Sequence, residues 1–140
     1  MDILNQYPLL RSILLTMGYT SFSGIAIFLG YFLFSRVTRY DDTVEIFEKK
    51  NVAAALASGG KVVGTAIVLG FAIVTNDRLW WTALWGLIGI LLLILGYKGL
   101  EWATPRHHVD AEIGKGNTAA GVFSFLLSVG LAVVIGASLT

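Results

Sequence analysis

Cysteine is absent from this 140-residue chain, so it can form no disulfide framework, no thiolate nucleophile and no cysteine zinc site. Charge is scarce as well: 14% of residues are Asp, Glu, Lys or Arg, with a net charge of +1. Without a basic stripe interleaved with aromatics there is no reason to propose nucleic acid as a partner. The two histidines, His107 and His108, are adjacent, so their imidazoles point in different directions. Asp110 and Glu112 follow, but no further His or Cys completes a set, and no metal site is expected. Paired carboxylates, a Gly-x-Ser-x-Gly elbow and a Ser-Lys arrangement with an oxyanion site are all missing. The stretch Ser58-Gly59-Gly60-Lys61 has some look of a phosphate-binding loop. It fails the pattern, because Ala55 replaces the first glycine, Val62 replaces the Ser/Thr, and the segment lies inside a hydrophobic run. The expectation is a protein that is not an enzyme and carries no cofactor.

What is abundant is apolar surface. The chain is 56% hydrophobic with a mean hydropathy of +0.75, outside the range of an ordinary soluble domain. A helix needs about 20 mostly apolar residues to cross the hydrocarbon core, and four such runs occur, at about residues 13–34, 52–74, 81–100 and 118–139. The lipid bilayer is therefore the expected solvent, and the fold class an all-α integral membrane protein, one membrane domain over residues 1–140. No small-residue cleavage pattern follows the first run, so the first helix is expected to stay.

Positive charge in short loops marks the cytoplasmic side. Arg36, Arg39, Lys49 and Lys50 fall in the loop about residues 35–50, and Arg106 and Lys115 in the loop about residues 102–116. The other side has Arg11 and Arg78. Both termini are expected outside, with Trp80, Trp81 and Trp85 at the outer headgroup level and Tyr40 and Trp102 at the inner one. The segment DDTVEIFEKK, residues 41–50, reads as a short helix along the membrane surface, Val44 and Phe47 on one face and Asp42, Glu45 and Lys49 on another. Asp42, Glu45 and Glu48 are its candidate docking residues for a peripheral partner.

An offset of 66 residues superimposes the second half of the chain on the first. Aligning residues 49–74 with 115–140 pairs Lys49/Lys115, Asn51/Asn117, Ala53/Ala119, Ala54/Ala120, Ser58/Ser124, Val63/Val129, Gly64/Gly130, Ala66/Ala132 and Gly70/Gly136 as identities. Shared apolar composition alone would not match Asn with Asn or keep Gly in step. Repeat 1 covers about residues 13–74 and repeat 2 about 80–140. Each crosses the membrane twice, which predicts two parallel helix hairpins related by a pseudo-two-fold axis along the membrane normal.

The duplicated start Asn-x-Ala-Ala, Asn51-Val52-Ala53-Ala54 and Asn117-Thr118-Ala119-Ala120, opens a Gly-rich helix each time. In this it resembles the bacterial domain-of-unknown-function 350 family, also called the uncharacterised protein family 0719, over nearly the whole chain. The resemblance implies a bacterial inner-membrane protein without an established activity, in the genomic company of envelope-stress and phage-shock-like membrane systems. Lys61 departs from the apolar or aromatic residue expected there, and the copy has Leu127.

Lys61 lies ten residues past Asn51, about 15 Å along a helix and near mid-membrane. An ionisable group at that depth is costly and usually faces a cavity or partner, so Lys61 is the first pathway candidate; the plainer reading is a lysine snorkelling to an interface. Glu101 beside Lys98 reads as an interfacial pair. Asn51 and Asn117 are candidate polar pathway residues, although capping of helix starts accounts for both. The spacings Gly60-x-x-x-Gly64, Ala66-x-x-x-Gly70 and Ala132-x-x-x-Gly136, with Gly130, are candidate helix-packing sites, within the chain or in a homo-oligomer. Two roles follow: a non-conducting oligomeric scaffold or accessory subunit that recruits peripheral membrane-stress proteins, and a homo-oligomeric channel or transporter with Lys61 in its path.

Overall fold

The computed structural model describes residues 7–104 and 108–139. Among them four helices are long and apolar enough to cross a membrane: α1 (Pro8–Val37), α2 (Val52–Thr75), α3 (Leu79–Ala103) and α5 (Thr118–Ser138). Between α1 and α2 lies a π-helical turn, Val44–Glu48, and between α3 and α5 the short α4 (Val109–Gly114). Helix α1 is longer than the apolar run that announced it. Its first turns contain Ser12 and Thr16, whose hydroxyls donate back to the carbonyls of Pro8 and Ser12 and remain compatible with helix.

Helix α2 is the centre of the bundle. Of its most apolar stretch 56% is buried, against 6% for α1 and 28% for each of α3 and α5. It packs along α5 over most of its length, and less extensively along α3 and α1. The α2–α5 seam is built from small residues, which let two backbones approach where lipid supplies no hydrophobic drive. A methyl group on Gly60 would lie 2.6 Å from the Phe125 Cα, and one on Gly121 2.6 Å from the Ala53 Cα. Only glycine fits at either place.

Contacts Ala53–Gly121, Gly60–Phe125, Gly64–Ser128 and Phe71–Gly136 run in step along both helices, so α2 and α5 are parallel. They do not use equivalent faces. Gly60, Gly64, Ala132 and Gly136 lie in the seam as expected, whereas Ala66, Gly70 and Gly130 lie on exposed faces, with open space around Gly70 and Gly130. In the 66-residue alignment Gly64 is buried and Gly130 is not, while Ala132 and Gly136 are buried and Ala66 and Gly70 are not. A two-fold axis between the two helices would bury the same face of each, so the expected pseudo-two-fold does not describe this contact.

The segment at residues 41–50 also differs from expectation. It is helical but seated on α2, with Asp42 and Glu45 buried and Phe47 75% exposed. Of the three expected docking residues only Glu48 faces outward. The physical reason is that Ser58, Asn51 and Lys61 present polar groups at this end of the bundle, and the carboxylates turn inward to meet them.

Candidate functional site

Lys61 directly follows Gly59 and Gly60 in the third turn of α2 and is 1% exposed. A helical side chain leans toward its own N-terminus, so the ammonium is carried back toward the end where both long connections lie. There it donates to the Tyr40 hydroxyl at 3.3 Å and stands 4.9 Å from the Tyr97 ring centroid, 5.3 Å from that of Tyr40 and 6.0 Å from that of Phe34. Three aromatic rings thus surround one cation, from α1, the first connection and α3.

Two buried carboxylates complete the enclosure. Asp42, 1% exposed, accepts a hydrogen bond from the Ser58 hydroxyl on α2, its second oxygen is buried without a hydrogen-bond donor, and the carboxylate lies in electrostatic range of Lys61. Asp110 of α4 is equally buried; it accepts from the Tyr97 hydroxyl at 2.8 Å and from the Arg39 backbone N–H at 3.3 Å, with the Lys98 ammonium 3.6 Å away. Ser124 of α5 donates to Tyr97 at 3.5 Å. Lys98 also binds Glu101 at 2.7 Å, and the Arg39 Nε stands 3.8 Å from the same carboxylate. The expected interfacial pair Lys98–Glu101 is therefore the outer edge of a larger network. The Tyr40 hydroxyl has its pKa raised, first by burial and then by the negative charge of its neighbours.

Asn51 and Asn117 do the same local work. Each side-chain carbonyl accepts from a backbone N–H three residues on, Ala54 and Ala120, capping α2 and α5. Each side-chain amide donates to a glutamate of the preceding turn, Glu45 at 2.9 Å and Glu112 at 3.1 Å. Those glutamates bind Lys49 at 2.6 Å and Lys115 at 2.8 Å. The Asn51 amide and the Lys49 ammonium hold the Glu45 carboxyl below its usual pKa. Asn51 alone reaches across, donating to the Ile113 carbonyl at 2.8 Å; it is buried, whereas Asn117 is exposed.

Beyond Thr65, whose hydroxyl is turned back to the Lys61 carbonyl, the buried side chains are mostly apolar, Val68, Leu69, Ala72, Ile90, Leu93 and Ala132, with the hydroxyls of Ser23 and Thr82 as uncharged exceptions. The charged site is a packed cluster at one end of the bundle, without buried charge beyond it among the described residues. Among the described residues no three His, Cys, Asp or Glu side chains gather to hold a metal; His107 lies outside those residues.

Sequence reasoning named Lys61 but missed the roles of Tyr40, Tyr97, Asp42 and Asp110. The signal was the polar stripe Ser58, Lys61 and Thr65 at helical spacing on α2, which asks for polar groups opposite.

Four membrane-length helices closed at one end by a buried charge network define an α-helical integral-membrane bundle. The chain belongs to the family described as Domain of Unknown Function (DUF350), which it matches over residues 8–139. It is 37% identical over 122 residues to the UPF0719 transmembrane protein YshE of Bacillus subtilis (strain 168), an alignment covering 87% of this chain and 90% of the relative. No solved structure matches it.

Proposed function

We propose that this protein is a non-enzymatic, homo-oligomeric scaffold or accessory subunit of the bacterial inner membrane, with its termini outside and its two long connections in the cytoplasm. The observation that carries the reading is the packed charge cluster. The connections are pinned onto the helix ends through Asp42, Asp110 and Asn51, which makes a rigid face, and past Thr65 the described buried side chains carry no charge and are mostly apolar, which gives a single chain no continuous polar route across. A fixed, charged cytoplasmic face suits a peripheral membrane-stress protein as partner, with Glu48 and Lys50 among its exposed groups. The matched capping sets at Asn51 and Asn117 support two tandem hairpin repeats, the π-helical turn accommodating the one extra residue between Glu45 and Asn51 relative to Glu112 and Asn117.

The second reading, a channel or transporter, rests on Lys61 as a buried intramembrane cation. Ion flux from liposomes holding the wild-type protein separates the two. The scaffold reading expects liposomes as tight as protein-free ones, and cross-linking in cells to a peripheral protein that Glu48→Lys weakens. Wild-type flux that Lys61→Leu alters in correctly folded protein would sink it.

A further inference from the structure

The α2–α5 seam joins one face of α2 to a different face of α5, and each helix keeps the other member of that pair of faces open. Where α2 offers Gly60 to Phe125, the aligned positions on the open faces are Leu126 and Gly59. Leu126 is 62% exposed, and nothing stands within 4 Å of where a Gly59 methyl would be. Large and small have changed sides, so the pair remains complementary. The same shift turns Gly64 against Ser128 into Gly130 against Val62, and Ala53 against Gly121 into Ala119 against Ala55. Gly130, Ala119 and Ala55 are exposed and Val62 is half-buried.

The flanking helices agree. Helix α3 packs on both α2 and α5, but α1, its counterpart, packs on α2 and has no comparable contact with α5. Asn51 reaches the Ile113 carbonyl of the second half, while its counterpart Asn117 is exposed with no such reach.

The geometry points to a second copy of this chain as the occupant of the open faces: α5 of one subunit packs parallel to α2 of the next, through Leu126 and Gly130 on one side and Gly59 and Val62 on the other. The contact is the internal α2–α5 seam continued between subunits, head-to-tail, with α1 of the next subunit taking beside α5 the place that α3 takes beside α2. A head-to-tail contact of this kind leaves no face idle when the rotation closes, and makes a ring of parallel inner helices. The inference rests on the homo-oligomeric part of the reading above and not on the scaffold role.

The cysteine-free chain suits a disulfide test on the full-length protein in membranes, with copper phenanthroline as oxidant. Gly59→Cys and Leu126→Cys in separate chains, co-expressed, should give a mixed dimer, whereas neither alone should dimerise. Both in one chain should give a ladder ending at the ring size. Ala55→Cys with Ala119→Cys is the second pair, in case either first substitution disturbs folding. Dimers from single-cysteine chains would mean a two-fold contact and overturn the inference. Oligomers by native mass with no ladder from either pair would overturn it while leaving the homo-oligomer standing, and monomers by mass would overturn both.

Discussion

Helices α2 and α5 begin with the same cap, keep glycine and alanine in step, and run parallel, yet α2 has twice as large a share of its apolar stretch buried, 56% against 28%. The difference is positional. Helix α2 has neighbours on three sides, and it carries Lys61 where α5 has Leu127. A repeated sequence therefore does not guarantee a repeated environment: one copy has become the interior element and holds the charge, and the other forms the margin.

The largest test of this comparison makes α2 more like α5. Lys61→Leu removes the cation and leaves the buried carboxylates of Asp42 and Asp110 without its charge. Breaking a buried ionic site in this way costs roughly 3–5 kcal/mol. Thermal unfolding in detergent should show that loss, and Asp42→Asn added to Lys61→Leu should recover part of it; equal stability of Lys61→Leu and wild type would remove the site's structural role.

Next in size is the seam. Gly60→Ala drives a methyl into the Phe125 backbone and should cost about 1–3 kcal/mol in the same measurement. Gly130→Ala meets open space within one chain, so a comparable loss there would report a neighbouring copy.

The smallest effect concerns the residue before each capping asparagine. Lys50 has φ 55° and its counterpart Gly116 φ 84°, the left-handed region that glycine enters without steric cost. Lys50→Gly should stabilise the protein by up to about 1 kcal/mol, and a loss instead would show that the lysine side chain contributes more than its backbone strain costs.

The four membrane helices were legible because hydropathy over about 20 residues is a strong signal. The starts of α2 and α5 were legible because asparagine caps have a mechanism, and Gly60, Gly64, Ala132 and Gly136 because small residues four apart share a face. Which small-residue face would be used was not. Positions 60 and 66 lie about 240° apart around a helix, and spacing alone favours neither. The inward turn of Asp42 and Glu45 was hidden for a related reason: a charged residue in a connection reads as solvent-facing until the donors opposite it are known. Likewise Lys61 was legible as costly, but its partners come from α1, α3, α4 and the first connection, at separations that local patterns do not encode.

The site has one further consequence. Its formal charges balance, Arg39, Lys61 and Lys98 against Asp42, Glu101 and Asp110, three and three. A transmembrane voltage acts on an elementary charge with about 2.3 kcal/mol per 100 mV across the full membrane. On a balanced cluster held as one unit it exerts almost no net pull, so a transmembrane voltage has little leverage to move the connections as a body.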